Sequence, residues 1–315
     1  MKKNLFRTHA FITGIVLIGF ICITIINYCT YGIVIRDDIR NISRLTSLNI
    51  FSSISNELKP VLPPDNGQRQ LPQGWLREEN DSPKQIAELQ DYLNGLKRKY
   101  DYSSVFLVSA KTNIYYHYNG INKVVSRDDS HDVWYYNFVV SGIPHRLEVD
   151  TDEMVRNELT VFVNCRIEDD HGELMGVVGV GVKMRELQQI LASFELDFDL
   201  TAFLVNREGV VQVHTSDAMI ANATIDDLLP VSEYRKKIFT KSRVESSWYK
   251  YNGQETCLVT RYIDDLDWYL IVEKDTAIIK ESLLSQLWKD ILVVACIIIL
   301  ILLLVSGPYR ATTNS

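Results

Sequence analysis

Asn164 and Arg166, two side chains suited to holding a polar ligand, stand two residues apart in the β-type run Val161-Phe162-Val163-Asn164-Cys165-Arg166. Alternation along a strand places them on one face, where they meet either a ligand or water. Asp150 and Asp152 share a direction in the same way if the strand beginning at Arg146 continues through both. They then form the mouth of a pocket or a solvated strand end. Trp134-Tyr135-Tyr136 lies in a short helical stretch from Asp132 to Phe138, ended by Ser141-Gly142. Aromatics there line a pocket or fill a core, and only one or two of the three can face the same way.

Other chemistries lack their residues. The six histidines, His9, His117, His131, His145, His171 and His214, include no pair at helical i, i+3 or i+4 spacing and none flanking a turn, so no metal site is expected. There is no Gly-x-Ser-x-Gly, no Walker loop and no nucleotide fingerprint, and no nucleophile, base and orienter set. Neither an enzyme nor a cofactor is therefore expected. Gly176, Gly179 and Gly181 fall inside a β run with valines between them, where glycine permits close packing of strand against helix. Of five cysteines, Cys22, Cys29 and Cys296 sit in apolar runs. Cys165 and Cys257 sit in separate strand-like segments and read as buried free thiols rather than as a disulfide framework.

The elements that must carry these residues follow from periodicity. Phe11 to Tyr31 and Ile291 to Val305 are apolar runs fit to cross a membrane. Lys2, Lys3 and Arg7 precede the first, whose apolar length exceeds that of a signal peptide, so an uncleaved anchor with a cytoplasmic N-terminus is expected. Ile35, Ile39, Ile42, Leu45, Leu48, Phe51, Ile54 and Leu58 recur at helical spacing and predict one apolar face of a long helix, ended by Pro60, Pro63 and Pro64. A polar loop to about Asn80 and a helix from Pro83 to Arg98, capped by Ser82, come next.

From Ser104 the period changes to two. Strands are predicted at 105–108, 114–118, 146–150, 159–167 and 174–182, the last pair joined by the turn Glu168-Asp169-Asp170-His171-Gly172. A helix over 184–194 follows. The pattern then restarts with strands at 202–206, 210–213, 244–251, 255–262 and 268–272, and Asn252-Gly253 supplies a turn. From Thr276 a helix runs without Gly or Pro into the second apolar run, a stiff link into the bilayer. The fold class is α+β: a long N-terminal helix and two similar antiparallel-sheet modules, flanked by two transmembrane helices.

The net charge of -7 lies mostly between the two spans. It argues against nucleic-acid partners and against docking to anionic lipid, and otherwise serves solubility.

The order of these pieces resembles the double Cache (PDC-type) sensor domains of bacterial transmembrane receptors over roughly residues 35–289. The resemblance is carried by Val133-Trp134-Tyr135-Tyr136-Asn137-Phe138, Leu147-Glu148-Val149-Asp150, the Val161–Arg166 run and Gly176-Val177-Val178-Gly179-Val180-Gly181. It is similar in particular to the sensor part of Cache-bearing diguanylate cyclases, and implies two PAS-like modules with the ligand in the membrane-distal one. The members that bind α-amino acids carry an Arg two positions before the Trp and an Asp at the end of the Gly-rich strand. Asp132 and Gly181 stand in those places here. An amino acid would lose two charge-assisted contacts, each worth about 1.5–3 kcal/mol. What remains is an aromatic wall of Tyr116, Trp134, Tyr135 and Tyr136, with Asp132, Asp150, Asn164 and Arg166 as polar candidates, a setting better suited to an amine or a small polar metabolite.

These readings divide the chain into a cytoplasmic N-terminus (1–9), a first membrane helix (10–31) and a long signalling or dimer helix (32–62). A membrane-distal module (63–195), a membrane-proximal module (196–275), a connecting helix (276–290), a second membrane helix (291–306) and a short cytoplasmic tail (307–315) follow. The expected function is extracytoplasmic sensing of a small molecule by a two-pass membrane protein, acting as a parallel homodimer in the lipid bilayer and signalling through its two membrane helices. The tail is too short for a cyclase, kinase or methyl-accepting helix, so the output is expected either from a longer chain or from a partner. A ligand-free interaction partner of a full-length receptor is the alternative.

Overall fold

The computed structural model describes residues 2–58, 82–156, 158–229, 238–240, 244–251, 254–264 and 266–311. The loop expected up to Asn80 and the Asn252-Gly253 turn lie outside them. Two compact units are present, one of residues 1–45, 246–259 and 273–315, the other of residues 46–245 and 260–272.

Helix α1 runs unbroken from Lys2 to Leu58. Its Gly14–Leu58 part is the one helix among the described residues long and apolar enough to cross a membrane. Beyond the apolar run, the face expected to be continuous divides in two. Ile39, Ile50, Ile54 and Leu58 are buried together with Ser43, Thr46 and Ser47, while Ile42, Leu45 and Leu48 stay exposed. The small hydroxyl residues extend the buried stripe at i+3 and i+4 steps, which a search for apolar periodicity passes over. Helix α2, Pro83–Tyr100, starts as expected on a Ser82 capping box with Gln85 and buries Leu89 and Leu93.

A six-stranded antiparallel sheet follows: β1 (Ser104–Ser109), β2 (Ile114–His117), β3 (Gly120–Val124), β4 (His145–Asp152), β5 (Glu158–Glu168) and β6 (Leu174–Lys183). Its order is β3-β2-β1-β6-β5-β4. The polar β3 has no apolar alternation and was not anticipated. Helix α3, Val133–Ser141, follows a 3-10 turn at Ser130–Asp132 and ends on Gly142 at φ 66°, a left-handed position suited to glycine. The β5–β6 turn is held by Asp169, whose Oδ1 accepts from the amides of His171 and Glu173.

After α4 (Met184–Phe198) comes a five-stranded sheet of β7 (Thr201–Val205), β8 (Val211–Val213), β9 (Glu245–Tyr251), β10 (Gln254–Ile263) and β11 (Trp268–Asp275), in the order β8-β7-β11-β10-β9. A short α5, Ile225–Leu228, sits on a Thr224–Asp227 capping box. Helix α6, Ala277–Ala311, begins at the end of β11 as expected and continues through the second apolar run. Cys165 and Cys257 are both buried and free.

Candidate ligand-binding site

The first sheet builds one side of a cavity from a single face of its strands. Register pairs Phe106 with Gly179, and Gly179 with Asn164; in the adjacent rung Ser104 pairs with Gly181, and Gly181 with Phe162. Glu148 on β4 lies opposite Phe162. The glycines on this face serve the neighbouring strands rather than a helix. A Cβ on Gly179 would stand 2.0 Å from the Phe106 ring, and one on Gly181 would stand 2.6 Å from the Thr160 methyl. Phe106 thus lies across Gly179, packed edge-on by Tyr115, Trp134 and Phe162 with ring centroids 4.8, 5.5 and 5.8 Å away.

Trp134, half-buried at the start of α3, and Asp132 in the preceding 3-10 turn complete the wall. The partly open cavity holds about 40 Å³, room for a few waters or one ligand head group.

The sheet curls until its two edges meet. Lys123 on β3 reaches Glu153, just past the end of β4, at 3.1 Å, and also contacts Asp129 and Asp132 at 3.0 Å each. Burial opposes the charge on Lys123, but the hydrogen bonds it donates to these three carboxylates hold its pKa above the usual value.

The same curl brings Asp152 from β4 to His117 and Ser104. His117, fully buried, is 3.0 Å from Ser104 Oγ and 3.8 Å from Asp152 Oδ2 through the same nitrogen, Nε2. Its Nδ1 accepts from the Asn119 amide. A nucleophilic triad needs the hydroxyl and the carboxylate on opposite ring nitrogens, so this arrangement holds Asp152 in place instead. Burial would raise the Asp152 pKa, yet hydrogen bonds from His117 and Ser104 keep it below the usual range.

Five carboxylates line the cavity, those of Asp132, Glu148, Asp150, Asp152 and Glu153, with no lysine or arginine among the described lining residues. Tyr115 records the resulting field. Burial first, then Asp152, Glu153, Asp132 and Asp150, push its phenol well above the ordinary value. Burial raises Glu148 to about 7, helped by Asp150 and opposed by Arg146 and Asn164. Of the buried acceptors in the wall, Asp132 Oδ1 faces Lys123 Nζ at 3.0 Å and Asp152 Oδ2 faces His117 Nε2 at 3.8 Å, whereas Asn164 Oδ1 has no hydrogen-bond partner. Among the described residues no cluster of three His, Cys, Asp or Glu side chains is disposed to hold a metal ion.

Of the candidates named from sequence, the structure brings Asp132, Trp134, Asp150 and Asn164 to this cavity. Tyr116 pairs with Leu107 and lies on the opposite face of the sheet from Phe106; its neighbour Tyr115 lines the cavity instead. Tyr135 is buried in the core cluster with Phe138 and Val177. Tyr136 donates to the Val125 carbonyl and carries the Arg127 guanidinium over its ring. Arg166 binds Glu168 and the Val139 carbonyl in the last turn of α3, where a cation suits the helix dipole. Phe106, Tyr115, Glu148, Glu153 and Phe162 were not foreseen, although Phe162 shares the Asn164 face by simple alternation. Asp152, set beside Asp150 by the same rule, lines the cavity too.

This curled sheet with its helical wall, following a long helix and preceding a second antiparallel sheet, defines a ligand-binding module of α+β type. The chain belongs to the Cache domain family, whose model matches residues 35–283. Among solved structures its fold is similar to the ligand-binding domain of Mlp24 with asparagine, at 15% identity and TM-score 0.56, over 79% of this chain and 98% of that one. It is also similar to the ligand-binding domain of the Pseudomonas aeruginosa PAO1 amino-acid chemoreceptor PctC in complex with GABA, at 16% identity and TM-score 0.53, over 76% and 99%. A third is the PctB domain of the same organism in complex with L-Arg, at 19% identity and TM-score 0.52, over 76% and 94%.

Proposed function

We propose that this chain senses a small organic cation outside the cytoplasm, with an ammonium group held in the cavity of the first module. One observation carries the reading: a single cavity is walled by five carboxylates, and the buried Asn164 Oδ1 in the same wall is an acceptor without a donor. Unsatisfied buried acceptors cost about 1–3 kcal/mol each, and an ammonium brings three donors and the matching charge. Asparagine, GABA and L-arginine, the ligands of the three similar domains, share that group. An α-carboxylate would have no lysine or arginine partner among the described lining residues, so an amine fits better than an α-amino acid.

The protein is a two-pass membrane protein with both termini cytoplasmic, and the sensor part of a bacterial receptor of the diguanylate-cyclase kind. It binds rather than catalyses. Ile42, Leu45 and Leu48, exposed on α1, form the contact of a parallel homodimer, and ligand shifts the balance between two packings of that dimer. Single cysteines placed along residues 38–52 should cross-link with a helical period centred on 42, 45 and 48; an aperiodic pattern would remove the dimer from the account.

A thermal-shift screen of the detergent-solubilised chain against amines, amino acids, organic acids and sugars tests the binding claim. Saturating amine at a hundredfold excess over its dissociation constant should add about 2.7 kcal/mol of stability. Stabilisation by organic acids alone would overturn the cationic reading.

A further inference from the structure

Trp134, Glu148 and Asp150 line two spaces. One is the small acidic cavity; the other is a groove of about 650 Å³ that runs beside β4 to Asp264 and Asp267 in the β10–β11 loop. The cavity's 40 Å³ accepts a head group and little more, and the groove is the neighbouring space that shares its Trp134, Glu148 and Asp150 walls.

The groove is acidic as well. Its cations are already engaged with carboxylates: Arg207 bonds Asp267 at 2.5 Å, and Arg146 contacts Glu148 at 3.3 Å. Asp264 is exposed along the same groove. Two acidic spaces separated by an indole match a molecule with a cation at each end and an apolar middle. Methylenes lie favourably on the Trp134 ring, and an ammonium passing it gains cation–π attraction.

The geometry points to a linear α,ω-diamine as the ligand, one ammonium among Asp132, Asp152 and Asn164, the other in the groove beside Asp264. The second module then contributes directly to recognition. This rests on the cationic reading of the cavity and adds a length requirement to it.

Calorimetric titration of the full chain in detergent micelles, with diamines from ethylenediamine to diaminooctane and monoamines of matched length, tests it. Diamine affinity is expected to pass through a maximum at one chain length and to exceed the matched monoamine by about tenfold there, one charge-assisted contact. Asp264→Asn, at an exposed position, should erase that advantage, whereas Asp152→Asn should weaken diamine and monoamine alike. Equal affinity for both series, with Asp264→Asn silent, overturns the two-compartment ligand and leaves the cation cavity standing. No binding by either series overturns both readings.

Discussion

Asn164 donates its side-chain amide to the Glu148 carboxylate at 3.1 Å across the β4–β5 pair, while its own carbonyl oxygen is left without a donor in the cavity wall. The amide therefore serves two purposes, steadying a half-buried acid and presenting an acceptor. Asn164→Asp keeps the shape but sets a second carboxylate against Glu148. It should destabilise the protein by about 1–3 kcal/mol at pH 8 and by less at pH 5, where the pair shares a proton. Denaturant titrations at the two pH values measure the difference; equal losses would mean the two side chains do not interact.

Glu148 also predicts a pH dependence. Its folded pKa, about 7, lies above the ordinary 4.5, chiefly through burial. A raised acid binds more protons folded than unfolded, so its contribution is fully present below pH 4.5 and is lost as pH rises towards 7. Glu148→Gln should accordingly raise the melting temperature at pH 8 and change it little at pH 4.5. A bound cation favours the ionised form, so ligand binding near pH 7 should release protons. Calorimetry in buffers of different ionisation enthalpy counts them.

Gly179 exists for Phe106. A Cβ there would sit 2.0 Å from the ring, which Tyr115, Trp134 and Phe162 already pack edge-on, so the ring could move only towards the cavity it lines. Gly179→Ala should cost about 1–3 kcal/mol by overpacking and weaken ligand binding through displacement of Trp134. A thermal melt and a ligand titration of the same preparation separate the two effects.

Glu255, on β10, ties α1 to the residue that precedes α6. Its carboxylate receives Arg36 of α1 at 2.5 and 2.6 Å, and its backbone carbonyl accepts from Thr276, the residue before α6, through amide and hydroxyl. Exposed ion pairs contribute under about 1 kcal/mol, so Glu255→Ala should barely alter stability. Ligand affinity should hold, while the ligand-dependent change in cysteine cross-linking along α1 shrinks. Unaltered cross-linking would show that the ion pair carries no coupling.

Strands and helix starts were readable because they depend on neighbours in sequence: alternation marked β5 and β6, and Ser82-Pro83 marked α2. Which face of a strand meets the cavity depends on partners far along the chain. A register shift between Tyr115 and Tyr116 accompanies β2–β3 pairing, and the residue on the cavity face is Tyr115 rather than Tyr116. Arg166 reads as a ligand contact until α3 is in place and offers it the Val139 carbonyl. Asp152 meets His117 only because the sheet curls, and no spacing in the sequence encodes that approach. The polar β3 lacked any apolar signal, yet its Lys123 ties the two edges of the sheet together.

The central claim is that the first-module cavity selects a positive charge with N–H donors. Its most direct test is a calorimetric comparison of a primary amine with its N-acetyl derivative on the detergent-solubilised chain at pH 7. Acetylation removes the charge and all but one donor while keeping the carbon chain. The account predicts binding of the amine, with its affinity falling at least about tenfold on acetylation and again in Asp152→Asn. Equal binding of the amine and its acetylated form would contradict it.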